Sequence, residues 1–425
     1  MGQNGIERRL REERLEDGVL FPAYEDYCVA NVPETALAML SSGFDRALPD
    51  RVLEDVATAV DHVVLVVVDG FGYEVWQRAY RDHAFLSRLT IRGTVTPLTS
   101  VYPSETASAL TTLYTGRDPI EHGLLGWYQY LESVGRDVVT LPFTTLSGEA
   151  LVDVAPDADA NELFAGTSLY ERARAAGIDV WTIQPADYVG SGYTRAATAG
   201  AERAGYDGAS EFARSIRRTL EAAAGPTLVH AYEPTLDELA HAGGTDTRRY
   251  RTALGEIADA LERELLQELA PAVAERTVLI VTADHGIVDT VPEENVDPTA
   301  WDDWDRLQET FRRDADGEPR LPTGSPRNVH VHVRPDRLAD AREILERNLD
   351  GLVFDRREAL ERDLFGLGSR SGLFDQRCGD LIAVHRNRGV CWRAGDRKLV
   401  GMHGGLTPAE MLVPFATARL DTLRG

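Results

Sequence analysis

The stretch His62-Val63-Val64-Leu65-Val66-Val67-Val68-Asp69-Gly70 decides the fold. An apolar, β-branched run with no polar alternation reads as a strand buried on both faces, the pattern of a parallel sheet covered by helices. It ends abruptly in a carboxylate and a glycine, a turn signal at the carboxyl end of the strand. Comparable runs recur at 178–183, 227–231 and 277–282, each after a helical stretch. This alternation predicts βαβ units and an α/β fold, with a mostly parallel central sheet flanked by helices on both faces. Between the last two runs, Leu254, Ile257, Leu261 and Leu265 recur at helical spacing. They predict a covering helix over 246–275 with a break near Pro271.

Working outward, residues 1–60 read as an N-terminal extension packing on the core, with a charged, solvated helix over 8–16. Residues 61–290 form the core. After Asp289 the chain becomes rich in Asp, Pro and Gly, with tryptophans at 301 and 304, and then reads strand, helix, strand at 328–333, 337–348 and 351–355. Residues 291–372 are therefore expected to be an inserted α+β cap subdomain. The remainder, 373–425, has a strand at 380–385, a hairpin through Gly389 and a segment bearing His403, and should return the chain to the main sheet.

The chain has 425 residues, 43% of them hydrophobic, enough for a sizeable core. Its 69 acidic and 45 basic residues give a formal net charge of −24. Such a surface repels a nucleic-acid duplex and an anionic membrane, and no basic patch relieves it. Lys398 is the one lysine. Acidity with arginine as nearly the sole cation resembles proteins of salt-loving archaea with GC-rich genomes, where salt screens self-repulsion. Cys28, Cys378 and Cys391 are too scattered for a disulfide framework or a cysteine zinc site. With no apolar run long enough for a signal peptide or a membrane span, a soluble cytoplasmic protein is expected.

In an open parallel sheet, side chains just past the strands' carboxyl ends share one crevice. Asp69, Asp284 and His285 close predicted strands; Asp237 and His241 follow another; His403 lies between glycines in 401–405. Singly, each has an ordinary structural reading: a turn aspartate, an i,i+4 surface pair, a loop histidine. Together, three carboxylates and three imidazoles suit two divalent ions of the zinc class, with manganese or cobalt as alternatives. Ser104 reads as the N-cap of a helix running to about Tyr114. The Thr106 hydroxyl then lies in the first turn, beside free backbone N–H groups suited to a phosphate oxygen. The third glycine of a dinucleotide fingerprint falls at Val75, and no P-loop is present.

Five motifs, in order, resemble the alkaline phosphatase superfamily, and within it the type I phosphodiesterase/nucleotide pyrophosphatase group. They are Val68-Asp69-Gly70, the segment from Glu105-Thr106 to Gly116, Asp237-Glu238-Leu239-Ala240-His241, Thr282-Ala283-Asp284-His285-Gly286 and His403-Gly404-Gly405. The resemblance implies a metal-dependent hydrolase of small phosphate esters with Thr106 as nucleophile and a phosphothreonine intermediate. It implies that Asp69, Asp284, His285 and the Thr106 hydroxyl hold one metal ion, and Asp237, His241 and His403 the other. Glu105 stands where alkaline phosphatases carry an acidic neighbour of the nucleophile.

The chain also departs from the group. Where its members place an asparagine for a phosphate oxygen, the segment from His122 carries Trp127. Arg117 and Arg327 are the candidates for a monoester's extra charge. Phe71, Tyr73, Trp127 and Tyr128 are candidates to stack on a nucleobase, with burial in the core as the ordinary alternative. Two other activities remain open: a phosphomonoesterase or phosphomutase of the same superfamily, and a catalytically silent binding protein of the same fold. A sulfatase is disfavoured because the nucleophile segment contains no cysteine.

Overall fold

The computed structural model describes residues 3–45, 47–54, 56, 60–314 and 317–424. Seven strands make the main sheet: β1 (His62–Val68), β2 (Thr94–Thr99), β3 (Asp179–Pro185), β4 (Glu202–Tyr206), β5 (Thr227–Glu233), β6 (Thr277–Thr282) and β7 (Leu412–Arg419). Their order across the sheet is β2-β7-β6-β1-β5-β3-β4. β1 lies near the middle, pairing in parallel with β5 and β6, and all seven of its residues are buried. β-Branched side chains on both faces suit a pleated strand sandwiched between helical layers. The α/β architecture expected from the sequence is present.

One strand runs against the rest. β7 pairs antiparallel with both β6 and β2. Its first residue, Leu412, therefore lies beside Thr99 at the end of β2, and the loop before it, which carries His403, sits at the edge where the parallel strands end. That reversal brings the last part of the chain to the crevice.

A second seven-stranded sheet, antiparallel throughout, is ordered Gly351–Asp355, Leu381–His385, Asn328–Val331, Thr323–Ser325, Tyr128–Leu131, Arg136–Val139, Thr144–Thr145. It draws on two distant parts of the chain, 128–145 and 323–385. The strand expected to lead back to the main sheet at 380–385 pairs here instead, with Asn328–Val331 and Gly351–Asp355. β7 makes the return. The correction has a physical cause: Leu381–His385 is apolar and buried along its whole length, so its pattern does not say which of two sheets it enters.

Two further expectations change. The N-terminal helix, Gln3–Arg14, is not wholly solvated: Ile6 and Leu10, one turn apart, are buried in the main core. The covering helix has its expected break before Pro271, where a separate turn, Pro271–Ala274, begins, but it is α-helical only over Arg248–Ala260 and widens into a π-helix over Leu261–Gln267. The three cysteines are free and buried. Among the described residues no helix is long and apolar enough to cross a membrane.

Leu279, fully buried on β6, tests whether this sheet is the stability core. Leu279→Ala is expected to lower unfolding free energy by about 2–5 kcal/mol, read from denaturant unfolding. A loss below about 1 kcal/mol would show that the site relaxes freely and that the packing argument is wrong.

Candidate active site

The carboxyl ends of β1 and β6 deliver Asp69, Asp284 and His285 to one point. Gly70 follows with φ +68, a conformation that favours glycine, and a Cβ there would stand 3.2 Å from Asp237 Oδ1. Asp284 Oδ1 accepts from the backbone N–H groups of Gly70 and His285, at 3.3 and 3.0 Å. Asp69 Oδ2 accepts from the Tyr232 hydroxyl. The opposite oxygens, Asp69 Oδ1 and Asp284 Oδ2, are buried without a hydrogen-bond partner, and each lies 3.3 Å from His285 Nε2.

Asp237 and His241 come from the helix α2 (Thr235–Gly243), where i,i+4 spacing puts both on one face. Asp237 Oδ2 is 3.1 Å from His241 Nε2, while Oδ1 is unpartnered and 3.6 Å from His403 Nε2. The His241 and His403 Nε2 atoms are 3.3 Å apart, and the His403 ring stacks on His285 with centroids 3.7 Å apart. All six sequence-predicted ligand side chains thus converge. Asp237, His241 and His403 each bring a ligand atom within 4.8 Å of the others, and so do Asp69, Asp237 and His285, with Asp237 common to both groups.

The tautomers follow from the backbone. Nδ1 of His241 lies 2.7 Å from the Gly401 carbonyl and Nδ1 of His285 lies 3.0 Å from that of Gly286. A carbonyl only accepts, so both Nδ1 atoms carry a proton, and each ring in its neutral form presents its Nε2 lone pair to the carboxylates. Lone pairs facing each other at these distances repel unless a cation stands between them. Burial, then Asp284 and Asp237, hold the Asp69 carboxyl well above the usual range. Burial also opposes ionisation of Asp237, but His241 and His403 outweigh it and pull that carboxyl below its ordinary value. Burial works against the His241 imidazolium, Asp237 outweighs it, and the pKa rises to about 9. The donors are those of a metal centre, and the buried oxygens without partners fit one.

The fourth element is a helix, α1 (Thr106–Thr115), buried along its length and ended by left-handed Gly116. Its hydroxyls back-bond: Thr111 Oγ1 donates to the Ala107 carbonyl and Thr115 Oγ1 to that of Thr111, both at 2.7 Å. Thr106 is its first residue, with Oγ1 3.0 Å from His285 Nε2. Ser104 is not the N-cap, because extended Glu105 takes that position. Ser104 Oγ instead donates to the Gly405 carbonyl at 2.6 Å, tying the Thr106 segment to the His403 loop.

A family profile described as Type I phosphodiesterase / nucleotide pyrophosphatase matches residues 63–406. The chain belongs to this family. Among solved structures it is similar to murine ectonucleotide pyrophosphatase / phosphodiesterase 5 (17% identity, 84% of this chain and 87% of that one, TM-score 0.61). The human form gives 18%, 84%, 87% and 0.60. Phosphonoacetate hydrolase from Sinorhizobium meliloti 1021 gives 18%, 85%, 94% and 0.58. At these identities the likeness establishes the alkaline phosphatase-like fold. No curated protein matches the chain. Family membership places its chemistry among phosphate-ester hydrolases.

A cavity of about 660 Å³ opens beside this family's characteristic motifs, between the two sheets. Asp69, Thr106, Asp237, His241 and His403 line one wall; Trp127, Tyr128 and Ser325 from the second sheet line another. Phe71 and Tyr73, by contrast, are core residues at 1% and 2% exposure. Arg327 does not face the cavity. It is fully buried, donating to Glu410 Oε1 and Oε2 at 2.8 and 2.7 Å. Arg117 is likewise not a lining residue.

Sequence reasoning missed Glu410, which organises the last ligand loop. Its carboxylate also accepts from the backbone N–H groups of Gly405 and Thr407 and from the Thr407 hydroxyl, at 3.0, 3.1 and 2.6 Å. Its carbonyl accepts from Gly286 N–H at 2.8 Å. One residue therefore fixes the turns after both His285 and His403. The signal was legible as a capping box, Thr407-Pro408-Ala409-Glu410. Tyr232, the donor to Asp69, carried no comparable signal.

Removing Arg327 leaves the Glu410 charge buried without its cation. Arg327→Met is expected to cost about 3–5 kcal/mol in denaturant unfolding, against under about 1 for exposed Arg8→Met. Equal losses would show that the pair does not hold the loop.

Proposed function

We propose that the chain is a two-metal hydrolase of phosphate diesters, including nucleotide pyrophosphate-type substrates, that works through a phosphothreonine at Thr106. The observation that carries this reading is the position of Thr106 Oγ1, at the first residue of α1 and 3.0 Å from His285 Nε2, beside buried carboxylate oxygens that have no partner. Asp69, Asp284 and His285, with Thr106, would hold one divalent ion, and Asp237, His241 and His403 the other, zinc fitting the histidine-rich set best and manganese or cobalt being alternatives. Bound there, such ions supply Lewis acidity that lowers the Thr106 hydroxyl pKa and offsets charge building on the phosphoryl oxygens.

The chain's own groups account for the rest. Thr106 Oγ1 bonds to phosphorus as the bond to the leaving oxygen breaks; water then attacks phosphorus, cleaves the phosphothreonine and restores the hydroxyl. The first ladder bond of α1 runs from Ala109 N–H to the Glu105 carbonyl, so the N–H groups of Thr106, Ala107 and Ser108 lie ahead of it. They face negative charge at the positive end of the helix dipole. Tyr232 orients Asp69, and the Gly401 and Gly286 carbonyls set the histidine tautomers. Among the described residues no arginine or lysine lines the cavity, which favours a singly charged diester over a dianionic monoester. In keeping with the nucleophile, an inactive threonine-to-alanine variant of the murine neighbour was solved with AMP.

Thr106→Ala is expected to lower kcat on bis(4-nitrophenyl) phosphate by at least about 10³-fold while leaving the thermal midpoint within a few degrees. Turnover at the native rate in that variant would remove the nucleophile. Wild type should also turn over the diester more efficiently than 4-nitrophenyl phosphate; the reverse order would make it a monoesterase. In a separate measurement, zinc or manganese added to chelator-treated protein should raise the unfolding midpoint, and the gain should shrink in Asp237→Asn. A midpoint indifferent to both metals argues against a metal centre.

A further inference from the structure

Beside the candidate metal ligands, the cavity lining carries further acidic side chains that nothing described so far uses. Glu105, Asp187, Glu238 and Asp396 are among them, and no described arginine or lysine lines the cavity. Lys398, two residues from Asp396, is exposed and outside the lining. Glu238 is engaged by the Tyr188 hydroxyl at 3.2 Å. Two of the others are buried with a free oxygen. Asp396 is 8% exposed: Oδ1 accepts from the Tyr128 hydroxyl at 2.9 Å, and Oδ2 has no partner. Glu105 is 1% exposed and its Oε2 has no partner. Neither neighbouring arginine makes an ion pair with Asp396: Arg393 pairs with Asp137 at 3.0 Å and lies over the Tyr128 ring, and Arg397 pairs with Asp297.

Buried acceptors with unfilled lone pairs in an enclosed space call for donors, and carboxylates call for charged ones. A third metal ion fits poorly, since Glu105 and Asp396 belong to neither group of side chains close enough to share an ion. An alkylammonium group answers the surroundings better. Its N–H bonds can reach separated acceptors, and its methylenes can lie against Trp127, Tyr128 and Leu399, which line the same cavity. The subsite also answers an electrostatic difficulty, because an acidic wall beside a phosphate pocket penalises an anion unless the rest of the substrate brings positive charge.

We propose that Asp396 and Glu105, with Tyr128 holding Asp396, form a subsite for a protonated amine carried on one ester arm of the substrate. This deepens the diester reading and rests on it for the position of the phosphate.

The test uses isosteric pairs. In the metal-loaded Thr106→Ala protein, calorimetry compares 2-aminoethyl phosphate with propyl phosphate; in the otherwise native enzyme, kcat/KM compares 4-nitrophenyl 2-aminoethyl phosphate with its propyl counterpart. The amine should be favoured by roughly tenfold or more in both, as one charge-assisted hydrogen bond implies. Adding Asp396→Asn to each protein should bring both ratios to within about twofold of unity. Because each ratio is taken within one preparation, partial loss of folded protein cancels. Equal binding of the two monoesters, failure of both to bind, or an undiminished ratio in Asp396→Asn overturns the subsite. A retained binding ratio with no turnover of either diester overturns the hydrolase reading and supports the subsite.

Discussion

Three carboxylates, Asp69, Asp237 and Asp284, meet at the end of an apolar sheet, where each is buried. Two unit charges 4 Å apart repel by about 4 kcal/mol even at an effective dielectric constant of 20. The imidazoles that intervene do not donate to them when neutral, because their protons are committed to the carbonyls of Gly401 and Gly286. The folded chain therefore holds a cluster of buried donor atoms whose charge calls for a cation, supplied by a protonated His241 or by bound metal. This constraint links the ligand set, the histidine tautomers and the opposite shifts of Asp69 and Asp237.

The scaffold meets that constraint through chain direction. Parallel strands deliver their carboxyl ends to one edge, giving Asp69 from β1 and Asp284 and His285 from β6; α2, following β5, adds Asp237 and His241. A further ligand from the end of the chain needs a strand entering from the same edge, and antiparallel β7 is that strand. The Arg327–Glu410 pair locks the arrangement. It joins the second sheet's Thr323–Val331 hairpin to the loop before β7, so that sheet and the turns carrying His285 and His403 share one buried ion pair. Replacing such a pair by apolar residues is often harmless, whereas breaking it exposes a charge to a dry interior. Its value here lies in position: Glu410 holds backbone N–H groups on both sides of the cluster.

The central strands were legible because a valine run of seven residues has few alternatives in a helical or exposed setting. The candidate ligands were legible because metal chemistry admits few residue types and each stands just past the end of an apolar run or between glycines. The second sheet was not. Tyr128–Leu131 and Thr323–Ser325 lie almost two hundred residues apart, and short strands with mixed burial carry no mark of their partners. Ser104 misled because a hydroxyl residue before a helix is ordinarily a cap, whereas here a tertiary partner, the Gly405 carbonyl, claims it. Arg327 misled in the same way: its charge was visible in the sequence, and the carboxylate that neutralises it was not.

The absence of basic residues from the cavity lining bears on how this active site tells one phosphate from another. Sites that bind dianionic monoesters commonly add guanidinium groups, whose planar forks match two phosphate oxygens. Here the positive elements near Thr106 are the N-terminus of α1 and whatever cations the ligand cluster holds, both confined to one wall. The same lining holds the acidic Glu105, Asp187, Glu238 and Asp396 and the rings of Trp127 and Tyr128. A second negative charge on phosphorus would meet these carboxylates with no guanidinium among the described lining residues to offset them. On the proposed reading, selectivity for a diester would arise from penalising excess charge as much as from attracting the phosphoryl group, leaving the ester arms to be chosen by the rings and carboxylates they meet.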